Sequence, residues 1–255
     1  MSYATIVTTL RAAGCVFAED EAELLLAGAT TPEQLAAMVG RRAEGHPLEH
    51  VLGWAGFCGL RITVTPGVFV PRRRTEFLAE LAVGLLRPDG VALDLCCGAG
   101  AVAAVLAVTV PSAELHAADL DPTAADCARG NLPATATVHQ GDLYAPLPAA
   151  LGGRITVLVA NAPYVPTAAI PFLPAEARDH EPHFTLDGGP DGLAVQRRVI
   201  AAAPRWLAPG GHLLIETSAR QAAATAAAMT ERGLTPTLHT SDRHDATVVA
   251  GTRPA

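Results

Sequence analysis

The sequence predicts an α/β protein: a largely parallel β-sheet covered by helices on both faces, preceded by a smaller helical domain. Beyond Pro71, short apolar runs alternate with stretches whose apolar residues recur at helical spacing, and this alternation is typical of a parallel sheet. A Gly-x-Gly turn follows the first of those runs, as in many strand-to-helix connections. A chain of 255 residues, 50% of them hydrophobic, is long enough for one such domain and an appendage.

The N-terminal part of the chain predicts two further units. In residues 1–50, apolar positions recur at helical spacing, and Pro32 suits the first turn of a helix that follows Thr31. In residues 51–72, short extended pieces are separated by glycines, which predicts a β-hairpin linker. We therefore expect an N-terminal helical domain over residues 1–50, a linker over residues 51–72, and an α/β domain over residues 73–255.

The α/β domain is predicted to contain seven strands. A helix comes first, because "TEFLAELAVGLL" has an apolar stripe that ends at the turn "RPDG". The predicted strands are "VALDL", "AELHAADLDP", "ATVHQGDLY", "RITVLVANAPY", "GHLLIETS" and an antiparallel pair, "TPTLHTSD" and "ATVVAGTR". Helices are expected at 101–108, after Pro122, at 193–207 and at 219–232.

Composition limits the possible functions. A formal net charge of −7 and an isoelectric point near 5.7 argue against a protein that grips long nucleic acid, because neutralising phosphates requires a basic face. The dense basic clusters are Arg41-Arg42 and Arg72-Arg73-Arg74. The first is interpreted as a solvated helix end; for the second, a solvated surface and a functional role stay open.

Cysteine spacing and the N-terminus indicate the environment of the protein. The five cysteines form no CxxC motif, so neither a metal site nor a disulfide framework is predicted. His180 and His183 have helical spacing, but the intervening Pro182 argues against a metal pair. No signal sequence or membrane-spanning segment is indicated, and we expect a cytoplasmic protein.

The turn after the first strand of the sheet predicts a cofactor loop. It reads Asp94-Leu95-Cys96-Cys97-Gly98-Ala99-Gly100, and its glycines allow a ligand to approach the backbone closely. By itself the motif is ambiguous. A Gly-x-Gly turn also serves NAD enzymes, in which a third small residue such as Ala103 helps the helix to pack.

Acidic residues end the next two strands. Asp119 can accept hydrogen bonds from two ribose hydroxyls, as in enzymes that bind NAD or S-adenosylmethionine. Asp142 and Leu143 close the third strand, where an adenine ring could lie against the leucine. Because parallel strands end at one edge of the sheet, we expect these residues to meet the Gly-x-Gly loop.

The fourth strand ends on Asn161-Ala162-Pro163-Tyr164, a sequence suited to holding a planar NH2 group. A carboxamide nitrogen is a poor nucleophile, and its methylation requires acceptors that engage both N–H bonds in the correct orientation. The Asn161 side chain and the Ala162 backbone offer carbonyl oxygens, and Pro163 fixes the turn that leaves the latter free. Tyr164 offers a ring for stacking.

These motifs resemble those of the HemK-type protein-(glutamine N5)-methyltransferases, which modify peptide-chain release factors, with a relative that acts on a ribosomal protein. The similarity includes "LDLCCGAG", "GDLY" and "ANAPYVP", and extends to the hairpin, the entrance loop around Arg72 and the segment "EARDHEPHFTLDGGPDGL". It implies a Rossmann-like class I S-adenosylmethionine-dependent methyltransferase with a seven-stranded, mostly parallel sheet.

The resemblance also implies roles for individual residues. Asn161, Ala162, Pro163 and Tyr164 would hold the glutamine. S-adenosylmethionine would contact Asp94, Cys96, Gly98, Gly100, Asp119, Asp142, Leu143 and Asn161, and the substrate entrance would contain Arg72 and Glu76.

The sequence departs from the family at three motifs, and alternatives stay open. Ala162 replaces the first proline of Asn-Pro-Pro-Tyr, Arg73-Arg74 replace a proline and a carboxylate in the entrance loop, and Cys96-Cys97 stand where Gly or Ser and Thr or Ser are commoner. The leading hypothesis is methylation of a glutamine amide in a protein. One alternative is methylation of an exocyclic amine of a nucleic-acid base; another is a regulator that binds S-adenosylmethionine without turnover.

Overall fold

A computed structural model describes residues 1–255, and the N-terminal part of the chain is helical. Its helices are α1 (Tyr3–Ala12), α2 (Ala18–Gly28), α3 (Pro32–Ala43) and α4 (Leu48–Leu52). The side chains of Ser2 and Thr31 cap α1 and α3 by accepting hydrogen bonds from backbone N–H groups of the first turn. These helices enclose a core of ten buried residues that includes Ile6 and Leu25.

A two-stranded antiparallel hairpin follows, formed by β1 (Trp54–Phe57) and β2 (Leu60–Thr63). The hairpin and the first three helices lie within the residues where the sequence predicts them, whereas α4 extends two residues into the predicted linker, as far as Leu52. The division of the chain into domains stays a prediction.

Helices and strands alternate through the rest of the chain. The helices are α5 (Glu76–Leu85), α6 (Ala101–Thr109), α7 (Pro122–Asn131), α8 (Ala175–His180), α9 (Ala194–Trp206) and α10 (Ala222–Glu231). The strands are β3 (Val91–Leu95), β4 (Glu114–Asp119), β5 (Thr137–Gln140), β6 (Ile155–Ala160), β7 (Leu207–Thr217), β8 (Thr235–Ser241) and β9 (Ala246–Thr252). Short 3-10 helices occupy Arg73–Thr75, Ala149–Leu151, Thr167–Phe172 and His183–Thr185. No helix combines the length and the apolar character that crossing a bilayer requires.

The seven strands β3 to β9 form one sheet in the order β5-β4-β3-β6-β7-β9-β8. All neighbours are parallel except β9, which is antiparallel to both β7 and β8. Alternate residues of β6 face opposite sides: Val157 and Val159 belong to a core of 29 residues, and Leu158 and Ala160 to a second core of 21. The predicted α/β fold with a seven-stranded, mostly parallel sheet is confirmed.

Asn131, at the end of α7, ties the hairpin to the loop after β3. Its side-chain amide donates hydrogen bonds to the carbonyl oxygens of Thr63 (2.8 Å) and Ala99 (2.9 Å). Its Oδ1 accepts a hydrogen bond from the Thr63 N–H at 2.9 Å. One side chain therefore completes the edge of β2 and fixes the loop that follows β3.

Arg42 connects the N-terminal helices to α8. Its guanidinium is 6% exposed, donates two hydrogen bonds to Glu21 (2.6 and 3.0 Å) and lies 2.7 Å from Glu176 Oε1. The interpretation of this arginine as part of a solvated helix end is wrong, because the end of α3 abuts α2 and α8 instead of solvent.

Candidate active site

A cavity of about 570 Å³ lies at the carboxyl edge of the parallel strands. The loops after β3, β4, β5 and β6 line it, together with the entrance loop before α5 and the segment between β6 and α9. The position is the one expected for a ligand site in an α/β sheet, where the carboxyl ends of strands on either side of a crossover leave a crevice.

The glycines of the loop after β3 have different surroundings. Gly98 lines the cavity with φ of 54°, and a Cβ placed there would meet nothing nearer than the Phe69 carbonyl oxygen at 4.0 Å. Gly100 has φ of 76° and does not line the cavity; its Cβ would meet the Ala128 Cβ at 3.1 Å. Gly98 thus leaves the backbone open to a ligand, whereas Gly100 allows α6 to start close to α7.

Asp94, at the end of β3, lies beneath this loop. It lines the cavity, although it is only 3% exposed, and its Oδ2 accepts a hydrogen bond from the Ala103 N–H at 3.1 Å. Burial raises the pKa of Asp94 to about 7. Cys96 also lines the cavity, and burial raises its pKa well above the usual range, so its thiol is a poor nucleophile.

Asp119 ends β4 and faces the loop. Its Oδ2 accepts a hydrogen bond from the Gly98 N–H (2.8 Å) and its Oδ1 one from the Asp121 N–H (3.0 Å). Burial raises the pKa of this carboxyl. Asp121, two residues later, caps α7 by accepting from the Thr123 N–H. Each Asp119 oxygen keeps a further lone pair for a ligand.

Asp142 and Leu143 form the next part of the wall. Asp142 pairs with Arg198 of α9 at 2.6 Å, and all three residues line the cavity. Leu143 has φ of 50°, a left-handed conformation that is uncommon for a side chain of this kind. Arg198 was not predicted, because its 56-residue separation from Asp142 leaves no local signal in the sequence.

All four residues of the segment Asn161-Ala162-Pro163-Tyr164 line the cavity. Asn161 Nδ2 donates a hydrogen bond to Thr75 Oγ1 at 3.1 Å, and no protein group donates to Asn161 Oδ1 or to the Ala162 carbonyl oxygen. Two acceptors at the end of β6 therefore have no protein donor, the Asn161 side-chain oxygen and the carbonyl oxygen of Ala162, a residue that is fully buried. The Tyr164 hydroxyl donates to Glu216 Oε1 at 3.4 Å, and burial raises the Tyr164 pKa to about 12.

The residues of the entrance loop have different surroundings: some line the cavity, and others contact the rest of the protein or solvent. Arg72 lines the cavity, but its guanidinium is held by Glu181 at 2.6 Å and lies over the Phe69 ring. Glu76 does not line the cavity; its carboxylate accepts a hydrogen bond from the Cys58 N–H at 2.9 Å. Arg73 and Arg74, which depart from the family pattern, are both exposed, and only Arg74 lines the cavity.

Thr75 and Glu216 were also missed by the sequence analysis. Both are buried beside the tetrad, Thr75 from the entrance loop and Glu216 from β7. The carboxylate of "LIET" in the sequence could have drawn attention, because a glutamate in a core strand is uncommon without a specific partner.

Comparison with known proteins yields consistent matches. The family of methyltransferase small domains matches residues 59–171. A release factor glutamine methyltransferase of Mycolicibacterium smegmatis is 41% identical over 244 residues, covering 88% of this chain and 86% of that protein. One of Geobacter sulfurreducens is 40% identical over 197 residues, covering 75% and 68%.

A solved structure supports the fold. The ribosomal protein L11 methylase of Lactobacillus delbrueckii subsp. bulgaricus superimposes with a TM-score of 0.54 at 16% identity, covering 76% of this chain and 86% of that one. At this identity, the match supports the Rossmann-like methyltransferase fold and nothing more specific.

Proposed function

Because the chain belongs to the release factor glutamine methyltransferase family, we propose that it methylates the side-chain amide nitrogen of a glutamine in a peptide-chain release factor, with S-adenosylmethionine as the methyl donor. The observation that carries this proposal is the end of β6, where Asn161 Oδ1 and the Ala162 carbonyl oxygen lack protein donors at the cavity wall. A ribosomal protein is the alternative protein substrate.

The residues around the cavity suit S-adenosylmethionine, which supplies an electrophilic methyl group when bound. Asp119 has lone pairs for the two ribose hydroxyls, and Leu143 offers apolar surface to adenine beside the Asp142 carboxylate. Gly98 exposes its backbone to the methionine part, near Asp94 and Cys96. The cavity volume of about 570 Å³ is in the range typical of small-molecule sites. Gly100 would act through the packing of α6 and α7.

The tetrad then orients the glutamine amide. Asn161 Oδ1 and the Ala162 carbonyl oxygen each accept one of its N–H bonds, which directs the nitrogen lone pair toward the methyl group. Positive charge that develops on the nitrogen is stabilised by these carbonyl dipoles. Ala162 serves as well as proline here, because the position contributes only its carbonyl group. The ring of Tyr164 stacks on the planar amide.

No general base is required in this proposal. The amide nitrogen becomes acidic as it is methylated, and its proton can leave to water after the transfer. Asn161 therefore orients and stabilises the substrate without deprotonating it.

The entrance and the N-terminal helices are proposed to recognise the protein around the glutamine. Arg74 lines the cavity and offers a positive charge at its mouth. The ion pair of Arg42 with Glu176 joins α3 to α8, whose Glu176 and Ala177 also line the cavity. This connection supports the proposal that residues 1–50 contact a substrate that reaches into the site, and a release factor would be met in the cytoplasm.

A transfer assay with tritiated S-adenosylmethionine tests the proposal. The assay compares the wild type, Asn161→Ala and the control Leu238→Ser, a substitution of an exposed side chain on β8. We expect the wild type and control to label a release factor on one glutamine, and Asn161→Ala to be slower by about a hundredfold. Equal rates for wild type and Asn161→Ala would remove the role of the tetrad.

The same assay separates the alternatives. Label confined to RNA or DNA would indicate a base amine as the acceptor. Binding of S-adenosylmethionine with no label in any macromolecule would indicate a regulator without turnover.

A further inference from the structure

Glu216 is a buried carboxylate directly behind the tetrad. It lies on β7, is 1% exposed and does not line the cavity. Its Oε1 accepts a hydrogen bond from the Tyr164 hydroxyl at 3.4 Å, and its Oε2 has no hydrogen-bond partner. A buried carboxylate with an unpaired oxygen lowers stability, so its presence beside the site calls for a functional reason.

Thr75 connects this carboxylate to Asn161. Thr75 is 5% exposed, and its Oγ1 accepts a hydrogen bond from Asn161 Nδ2 at 3.1 Å. Because the hydroxyl oxygen accepts from Asn161, its own proton is directed elsewhere. The adjoining carboxylate of Glu216 is the neighbouring acceptor that can take it.

We propose that Thr75 and Glu216 are positioning residues that set the polarity of the Asn161 amide. In the proposed arrangement, Asn161 donates to Thr75, and the Thr75 hydroxyl proton is directed toward Glu216, whose Oε2 has no other partner. An ionised carboxylate can only accept, so it fixes the direction of both bonds. Asn161 must then turn its NH2 group toward Thr75 and present Oδ1 to the cavity. The inference rests on the proposed function, in which Oδ1 accepts an N–H bond of the substrate.

The groups around Glu216 partly offset the effect of its burial. Burial is the larger influence and raises the pKa of its carboxyl, whereas the Thr75 hydroxyl, the Arg74 guanidinium and the Tyr164 hydroxyl favour the ionised form. If Glu216 were replaced by an amide, it could donate to Thr75. Thr75 could then donate to Asn161, and the Asn161 amide would present its NH2 group to the substrate NH2 group, a repulsive arrangement.

Three single variants test the chain. Glu216→Gln keeps the shape of the side chain and allows the direction of the hydrogen bonds to reverse. Thr75→Val keeps the volume but removes the hydroxyl that connects Asn161 to Glu216. Thr75→Ser keeps that hydroxyl. We expect kcat to fall by between about ten- and a hundredfold for Glu216→Gln and Thr75→Val, with the Kd for S-adenosylmethionine within twofold of wild type. Thr75→Ser should retain most of the wild-type kcat. Unchanged cofactor affinity shows that the variants are folded.

A double variant distinguishes positioning from general damage. If both residues act only through Asn161, the double variant Glu216→Gln, Thr75→Val should have a kcat no lower than that of the slower single variant. If the two substitutions instead cause independent structural damage, their fold-losses in kcat should multiply. Wild-type kcat in Glu216→Gln, or multiplying losses, would overturn the inference while leaving the proposed function intact. Failure of the wild type to methylate a release factor would instead overturn the proposed function.

Discussion

At the scale of single residues, backbone conformation marks the cavity as clearly as side-chain chemistry does. Four non-glycine residues have positive φ, and two of them, Cys96 and Leu143, line the cavity. The other two, Cys58 and Asp245, lie in the turns of antiparallel strand pairs. Left-handed backbone costs a non-glycine residue on the order of 1 kcal/mol, and Cys96 and Leu143 carry this cost outside any hairpin turn, in the loops that form the cavity wall.

Asp119 is predicted to bind the ribose of S-adenosylmethionine. Asp119→Asn should weaken binding at least tenfold, because a carboxylate accepts from two hydroxyls and an amide oxygen replaces only part of that capacity. Isothermal titration calorimetry measures the affinity, with the exposed Asp126→Asn on α7 as the control.

The substitution also disturbs the loop, because Asp119 holds the Gly98 N–H. A cofactor analogue with a 2′,3′-dideoxyribose separates the two effects. The affinities of wild type and Asp119→Asn for that analogue should differ much less than their affinities for S-adenosylmethionine. An equal loss of affinity for both ligands would show that Asp119 acts only by holding the loop.

Asp94 makes the stability of the protein depend on pH. Its pKa of about 7 lies above the ordinary value near 4, so between these pH values the folded state binds a proton that the unfolded chain releases. This group therefore lowers the free energy of unfolding as pH rises through that window, by roughly 1.4 kcal/mol per pH unit. The side chain of Asp94→Asn does not titrate. Urea denaturation should therefore show that the free energy of unfolding of wild type falls, relative to that of the variant, between pH 5 and pH 7. Parallel pH profiles would contradict the raised pKa.

At the scale of structural elements, the sequence was informative wherever a strand ends on polar residues. Asp119 and Asn161 line the cavity because the carboxyl ends of parallel strands meet at one edge of the sheet. The alternation of strand and helix patterns in the sequence is sufficient to predict that parallel arrangement. The sequence does not distinguish the roles of the two glycines in the Gly-x-Gly motif. In the structure, Gly98 faces the cavity and Gly100 faces α7, and this difference is set by the packing of α6 on α7. Glu76 bonds to the hairpin, which no local pattern indicates.

The segment after the tetrad exposes an aromatic residue near the cavity. Phe172 is 87% exposed, and it directly precedes Leu173 and Pro174, which line the cavity. Burying a phenylalanine against a partner stabilises a complex by about 2 kcal/mol, so Phe172→Ser should raise KM for the release factor at least tenfold.

Two controls make this prediction specific to the protein substrate. Leu238→Ser removes another exposed apolar side chain, from β8, and should leave KM unchanged. The Kd for S-adenosylmethionine should be equal in all three proteins. A KM for Phe172→Ser equal to that of wild type would show that this segment does not contact the substrate.

At the scale of the whole molecule, Arg42 of α3 forms a buried ion pair with Glu21 of α2 and a half-exposed one with Glu176 of α8. Arg42→Met leaves Glu21, which is 8% exposed, without its partner, and we expect a loss of about 3 to 5 kcal/mol in the free energy of unfolding. Glu176→Gln preserves the Arg42 to Glu21 pair. Because the Glu176 side chain is 46% exposed, this change should cost about 1 kcal/mol or less. Urea denaturation compares the two, and equal losses would contradict the account.

The contacts between distant segments are the part that the sequence did not predict. Periodicity and turn residues were sufficient for the order of the seven strands and of the longer helices between them, because those signals are local, whereas the six-residue helix α8 was not predicted. Arg42 with Glu176, Arg72 with Glu181 and Asp142 with Arg198 each pair residues far apart in the chain. The sequence marks Arg72 and Asp142 as candidate site residues but does not indicate which charge each of them meets, because only the packed structure brings the partners together.

The most direct test of the account is mass spectrometry of the release factor purified from cells that express this protein and from cells that lack it. Peptides should carry one methyl group on one glutamine side chain in the first sample and none in the second, and Asn161→Ala should restore little of the modification. An unmodified release factor in cells that express the wild-type protein would contradict the proposed activity.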